Sequence, residues 1–198
     1  RFLEAHELHQ QFNQLLEQGA DIIDIGAEST RPGAHAISED DEYKNLNWAL
    51  HELKSKAAAA ISLDCRKPNV VARILETHQI SFLNDVTGFT DFAMKALLKK
   101  TGLPAFVMHS LSIPPRAELV LDNDRDPCSQ LLAWWKARLQ DLTFFGISSD
   151  KLIFDPGIGF GKTKQQNLFI LRHLEQLGEI KNSIMICHSR KSFLSLFT

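Results

Sequence analysis

Polar side chains able to bind a heterocycle follow short apolar runs at three places in the chain. Asp64, Asn84 and Asp155 each end such a run. Carboxylates accept hydrogen bonds from ring N–H and NH₂ groups, and an amide both donates and accepts, so together they suit the edge of an aminated heterocycle. Any one alone is more often a helix cap or turn former. Their recurrence favours a binding site.

Basic side chains form the counterpart of these acceptors. The residues are Arg31, Arg66, Arg190 and Lys191. In Ser29-Thr30-Arg31 and Ser189-Arg190-Lys191-Ser192 the cations stand beside hydroxyl groups, a combination suited to phosphate or carboxylate. The pattern predicts an anionic substrate with one or two anionic groups, and the alternative is a solvated charged face.

A glycine-rich segment, residues 155–163, reads Asp-Pro-Gly-Ile-Gly-Phe-Gly-Lys-Thr. It differs from a GxxxxGK[ST] phosphate loop because Pro156 stands at the first glycine, and from GxGxxG because Lys162 stands at the third. Three alternating glycines after a buried Asp predict a backbone that approaches a flat ligand closely. The alternative is a flexible strand-to-helix turn.

Two other chemistries are disfavoured. His109 follows an apolar run and could act as a base or a ligand, but the eight histidines form no HxH or HExxH pattern, so zinc is not expected. His188 stands beside Ser189, yet there is no GxSxG elbow and adjacent residues of an extended segment point apart. We interpret Met108, Trp134 and Trp135 as core or pocket wall.

Alternating strands and helices must position these groups. Six short apolar runs are typical of parallel strands covered on both faces: 21–26, 60–64, 80–84, 104–108, 151–155 and 183–187. Apolar residues three and four apart predict the helices: Leu8, Phe12 and Leu15; Leu46, Leu50 and Leu53; Val70, Val71 and Ile74; Phe92, Ala96 and Leu97; Leu131, Trp135, Leu139 and Leu142; Leu168, Leu171 and Leu174. Pro68 suits a first helical turn.

This order predicts an α/β fold with a largely parallel sheet, either open and doubly wound or closed as a (β/α)8 barrel. An open sheet gathers its ligand at one switch point, whereas a barrel collects residues from every strand at one mouth. Nearly every run ends in polar residues, which favours the barrel. A barrel typically needs about 250 residues. We therefore expect residues 1–198 to be a single barrel domain, with its first strand before Arg1 and its last unit after Thr198.

Composition limits the other possibilities. The 198 residues are 44% hydrophobic and carry 22 Lys plus Arg against 24 Asp plus Glu, a net charge of -2, which is typical of a globular domain and not of a nucleic-acid binder. The longest apolar runs span five residues, too short for a membrane helix. Cys65, Cys128 and Cys187 match neither a disulfide framework nor a paired metal motif. We expect reduced thiols and a cytoplasmic location.

The motif series, taken together, resembles that of the dihydropteroate synthases over essentially the whole chain. It comprises residues 24–33 (DIGAESTRPG), 62–68 (SLDCRKP), 83–86 (LNDV), 108–109 (MH), 155–162 (DPGIGFGK) and 189–192 (SRKS). The resemblance implies a (β/α)8 TIM barrel. It also implies condensation of 6-hydroxymethyl-7,8-dihydropterin diphosphate with p-aminobenzoate, a Mg²⁺ cofactor, a homodimer and inhibition by sulfonamides.

The same resemblance assigns roles to individual residues. Asp64, Asn84, Asp155 and Lys191 would hold the pterin, with Met108 and Arg190 lining its pocket. Thr30 and Arg31 would bind diphosphate, whereas Phe160, Lys191 and Ser192 would border p-aminobenzoate. Of these, Arg31, Lys191 and Asp64 are the predicted catalytic residues. The family's Asn ligand of the metal would lie before Arg1, so no metal ligand is assigned.

Departures from the family pattern leave two rivals open. Cys187 replaces a usual Gly and Cys65 a commoner Thr, and the family's last-strand Arg and His would lie beyond Thr198. One rival is a methyltetrahydrofolate-type methyltransferase domain, which would share the Asp, Asn and Asp platform but not the 29–33 or 189–192 motifs. The other is a paralogue that binds pterin without turnover.

Overall fold

A computed structural model describes residues 4–30, 34–54 and 59–188 of the chain. Within these ranges, five strands form one parallel sheet: β1 (Ile22–Gly26), β2 (Ala60–Asp64), β3 (Phe82–Asp85), β4 (Ala105–Met108) and β5 (Leu152–Asp155). The same residues also form the α-helices α1 (Ala5–Glu17), α2 (Glu39–Leu53), α3 (Pro68–Thr77), α4 (Phe92–Thr101), α5 (Pro127–Phe144) and α6 (Lys164–Arg172). Short 3-10 helices cover Ser149–Lys151 and Leu174–Glu179.

The order of the strands distinguishes the two predicted architectures. Each strand pairs with the one before it, in the order β1-β2-β3-β4-β5, without the reversal that defines a doubly wound sheet. The helices follow the same order, α1 packing on α2, α2 on α3 and α3 on α4. This is the arrangement of a (β/α) barrel, and the predicted fold class is confirmed.

The two faces of the sheet differ in character. On the helix side, alternate residues such as Ile25, Leu63, Leu83 and Phe154 join one hydrophobic core with the helices. Because side chains alternate along a strand, the residues between them all point to the opposite, inner face. That inner face carries polar residues at the carboxyl ends of the strands.

Local signals set the helix starts. Ser38 caps α2 by accepting a hydrogen bond from the Asp41 N–H at 3.1 Å, and Asp91 and Asp126 cap α4 and α5 in the same way. Helix α3 starts at Pro68, as predicted, where the missing N–H costs nothing.

Three predicted elements differ from the structure. The run 183–187 makes one bridge, between Phe154 and Ile184, rather than a strand within the described residues. Helix α4 buries Met94 and Leu98, while Phe92 is 72% exposed. Helix α6 buries Ile170 together with polar Gln166 and Asn167, instead of Leu168, Leu171 and Leu174. Apolar spacing failed there because the amides bind loop backbone.

No helix in the described parts of the chain is long and apolar enough to cross a membrane.

Candidate active site

Four of the predicted site residues share the inner face at the carboxyl ends of neighbouring strands. The strand register aligns Asp64 with Asn84. Two residues further toward the carboxyl ends, it aligns Met108 with Asp155. Parallel pairing and side-chain alternation therefore bring these groups from β2, β3, β4 and β5 onto one surface. This polar inner row, formed by Asp64, Asn84, Met108 and Asp155, is the candidate site.

The strand β1 adds a carboxylate that the sequence analysis did not assign. Asp24 aligns with Ser62, two residues before the Gly26–Asp64 pair. Because side chains alternate along a strand, Asp24 points to the same face as Asp64. The Asn84 Nδ2 donates a hydrogen bond to the Asp24 Oδ2 at 3.0 Å. Because a carboxylate only accepts, this bond turns the Asn84 amide nitrogen toward Asp24 and leaves its oxygen able to accept from a ligand. In the sequence, the position of Asp24 between Ile23 and Ile25 was the feature that could have identified it as an inner-face residue.

The carboxyls of this face are costly to ionise. Desolvation by the surrounding protein atoms raises the pKa of Asp24, although the residue keeps contact with solvent. Burial, followed by the nearby charges of Asp24 and Asp85, raises the pKa of Asp64 well above its usual 3.8. Desolvated carboxylates that repel one another are stabilised by hydrogen-bond donors. A ligand that presents N–H groups would supply them at Asp64.

Asp155 is the most enclosed carboxyl of the row, with 2% of its surface exposed. Its Oδ1 accepts from the Gly157 N–H at 2.7 Å, and its backbone oxygen accepts from the His109 N–H at 2.9 Å. These bonds fix the side chain at the start of the glycine segment and tie β5 to the end of β4.

The glycines of residues 157–161 are required by the fold itself. Gly157, Gly159 and Gly161 have φ of +65°, +86° and +65°, which favours glycine. A Cβ on Gly157 would lie 1.9 Å from the His109 oxygen, and one on Gly161 would lie 2.7 Å from the Leu111 side chain. The close approach is thus made to the chain that follows β4, while an approach to a flat ligand stays a prediction.

A buried lysine holds this segment in place. Lys162 donates to the backbone oxygens of Gly157 at 3.0 Å and Phe160 at 2.8 Å, and its Nζ lies 2.9 Å from the His109 Nδ1. Burial, with the Lys162 charge second, lowers the pKa of His109 to about 3. His109 is therefore neutral and a weak base, with a structural role. The sequence motifs that include Lys162 did not predict this structural role.

The remaining predicted residues divide into two groups. Phe160 packs with Met108, Val86 and Ile113 in a small apolar cluster beside the row, and Thr30 is partly buried after β1. The others lie outside the described residues, so their predicted roles stay predictions: Arg31, Arg190, Lys191 and Ser192.

Arg66, which the sequence groups with the basic residues suited to an anion, lies in an ion pair within the chain. Its Nε and one terminal nitrogen each lie 2.9 Å from the Glu28 Oε2, so Glu28 balances its charge. The neighbouring Cys65 lies on the helix side of β2, where its Sγ donates to the Glu42 Oε1 at 3.4 Å, and burial raises the pKa of the thiol. Replacement of the family's Thr by Cys65 therefore does not alter the inner face.

Within the described ranges, no group of three or more His, Cys, Asp or Glu side chains is placed to hold a metal ion.

Residues 1–198 match the pterin-binding enzyme family over their whole length. The chain belongs to this family. A folate synthesis bifunctional protein of Chlamydia trachomatis is 34% identical over 98% of this chain, which covers 45% of that relative. The chain thus spans about half the length of that curated relative.

Solved structures extend the likeness to the backbone. A dihydropteroate synthase from Anaplasma phagocytophilum, with bound 6-hydroxymethylpterin-monophosphate, superimposes with a TM-score of 0.90 at 28% identity, covering 99% of this chain and 78% of that chain. The Yersinia pestis dihydropteroate synthase with a sulfonamide drug gives a TM-score of 0.90 at 28% identity, covering 99% and 70%. The pterin-binding barrel is therefore the fold in which the inner row must be interpreted.

Proposed function

We propose that this chain is the catalytic barrel of a dihydropteroate synthase. The observation that carries the proposal is the convergence of Asp64, Asn84 and Asp155 on one face at the strand ends. The two acids accept from N–H and NH₂ groups, and Asn84 presents the oxygen that its bond to Asp24 leaves available. This set matches the ring edge of a pterin.

The reaction breaks the C–O bond between the pterin methylene group and diphosphate. A C–N bond forms to the p-aminobenzoate nitrogen, which loses a proton, and diphosphate leaves with the electron pair of the broken bond. The pterin ring stabilises the cationic carbon, so the protein mainly orients the two substrates and balances the departing charge. An arylamine needs no strong base, which agrees with a neutral His109.

The proposed function also assigns roles to the other site residues. Asp64 stabilises the pterin as its charge develops, and Met108 and Phe160 form the apolar wall beside it. Thr30 and Arg31 bind the diphosphate, Arg190 and Lys191 complete the pterin pocket, and Lys191 and Ser192 border p-aminobenzoate. Mg²⁺, a homodimer, sulfonamide binding and a cytoplasmic location accompany the proposal on the strength of the family likeness.

The first test is dihydropteroate formation by the full-length protein, supplied with the dihydropterin diphosphate, p-aminobenzoate and Mg²⁺. We expect turnover, competitive inhibition by a sulfonamide, and loss of at least about 100-fold in kcat/KM for Asp155→Asn, because a buried charged hydrogen-bond acceptor disappears.

A matched control is Asp141→Asn, since Asp141 bonds with Lys95 and Arg138 on the helix layer. It should retain near-normal turnover. Binding of pterin without turnover in the wild-type protein would contradict the synthase and support a pterin-binding paralogue instead.

A further inference from the structure

Behind the polar inner row lies a second group of charged residues, the ion network of Glu28, Glu42, Arg66 and Lys67. The side chains of Glu28, Lys67 and Glu42 are 7%, 14% and 1% exposed. Two carboxylates and two cations balance one another. Burying such a network is costly, and replacement by apolar residues is often neutral for stability. Stability alone therefore does not explain why these charges are buried together.

Glu28 and Lys67 together hold both backbone groups of a distant residue. The Glu28 Oε1 accepts from the Ile37 N–H at 3.3 Å, and the Lys67 Nζ donates to the Ile37 oxygen at 2.7 Å. The two side chains bond with each other at 2.8 Å. Ile37 is nine positions after Glu28, and Thr30 lies between them. The network thus joins the two ends of this stretch.

The network is itself attached to rigid elements. Lys67 is the N-cap of α3 and pairs with Glu42 of α2 at 2.7 Å. Arg66 binds Glu28 at the other side, two residues after Asp64. Ile37 precedes Ser38, which caps α2. The residues that hold the network in place therefore lie in or next to α2, α3 and the end of β2, close in the chain to the candidate site.

We infer that Glu28 and Lys67 are positioning residues, which fix residues 28 and 37 against the end of β2 and so hold Thr30 at a defined place relative to Asp64. The hydrogen bonds and ion pair of Glu28 and Lys67 support this positioning of residues 28 and 37. Its consequence for catalysis rests on the proposed function, in which Thr30 meets the diphosphate. Small misplacements of binding groups cost up to about 100-fold in rate.

The positional part is tested by hydrogen exchange of the Ile37 amide. Glu28→Ala removes the acceptor of that amide and should speed its exchange by about tenfold or more, because the local opening becomes easier. Glu28→Gln keeps a side-chain oxygen and should restore most of the protection. Asp141→Asn, whose partners Lys95 and Arg138 lie outside the network, is the matched control and should leave this amide near its wild-type rate. Unchanged exchange in Glu28→Ala would overturn the inference.

The catalytic part is tested by comparing two ligands. Glu28→Ala should raise KM for the dihydropterin diphosphate by about tenfold, while its affinity for 6-hydroxymethylpterin, which lacks the diphosphate, should equal that of the wild type. Equal losses for both ligands would indicate a merely structural role and contradict the inference. If the wild-type protein shows no turnover, the proposed function fails, and Ile37 exchange with pterin affinity still decides whether Glu28 positions this stretch.

Discussion

The fold shifts the pKa values of the inner-face carboxyls and of Glu28, in the ion network, in opposite directions. On the inner face, burial raises the pKa of Asp64, and the charge of Asp24 adds to this effect. Behind them, burial alone would raise the pKa of Glu28, but the bond from Lys67 and the charges of Arg66 and Lys67 outweigh it and lower the pKa. Desolvation acts on both groups, so the cations make the difference.

The contrast separates binding from scaffolding. The network around Glu28 satisfies its own charges, which suits a structural role. Asp64 instead keeps an unfavourable electrostatic environment that a ligand's N–H donors could relieve. Functional sites commonly sacrifice stability in this way. Substitutions on the inner face should therefore weaken pterin binding and raise stability, whereas substitutions in the network should lower stability and leave pterin binding nearly unchanged.

The largest expected effect is on ligand binding by Asp64→Asn. This change should weaken 6-hydroxymethylpterin binding by about 100-fold, because a charged hydrogen bond is worth roughly 1.5–3 kcal/mol. Removal of a carboxylate that its neighbours repel should meanwhile raise the free energy of unfolding by about 1 kcal/mol. Titration calorimetry and urea unfolding measure the two quantities. Equal affinity in the variant would remove Asp64 from the site.

The opposite result is expected for Glu42→Gln, at an intermediate size. Glu42 is 1% exposed and pairs with Lys67 at 2.7 Å. Breaking a buried pair costs about 3–5 kcal/mol, but Lys67 keeps Glu28 as a partner, so we expect a loss of about 2 kcal/mol in the free energy of unfolding. Pterin affinity should change less than about twofold. A loss of affinity as large as that of Asp64→Asn would erase the distinction between the two groups.

Sequence patterns predicted most of the strands because buried parallel strands are continuous apolar runs. The prediction matched β2 and placed β1, β3, β4 and β5 within two residues of their ends. It failed at α6, where Gln166 donates to the Leu121 oxygen at 2.8 Å and the buried face is polar. Apolar periodicity does not register side chains that are buried in order to bind loop backbone.

The candidate site was predictable only where position in a strand revealed it. Asp64, Asn84 and Asp155 stand at strand ends, so their convergence followed from the barrel hypothesis. Asp24 and Lys162 were missed because their partners, Asn84 and His109, lie 60 and 53 residues away. Their roles depend on tertiary contacts that no local spacing encodes.

The smallest expected effect is a difference in pH dependence, which sharpens the electrostatic contrast. Because the pKa of Asp64 is raised on folding, the folded state keeps a proton that the unfolded chain loses above about 3.8. Its stabilisation is therefore present at low pH and is lost as pH rises through the folded pKa. Asp64→Asn removes this loss, so the variant should gain stability relative to the wild type as pH rises from about 4 toward neutrality. Urea unfolding of both proteins at several pH values measures this difference in the free energy of unfolding. Glu28 has the opposite sign, since its lowered pKa adds stability above its usual 4.5 that disappears in acid. A constant gap between the wild type and Asp64→Asn across this range would mean that Asp64 ionises as easily in the folded chain as in the unfolded one.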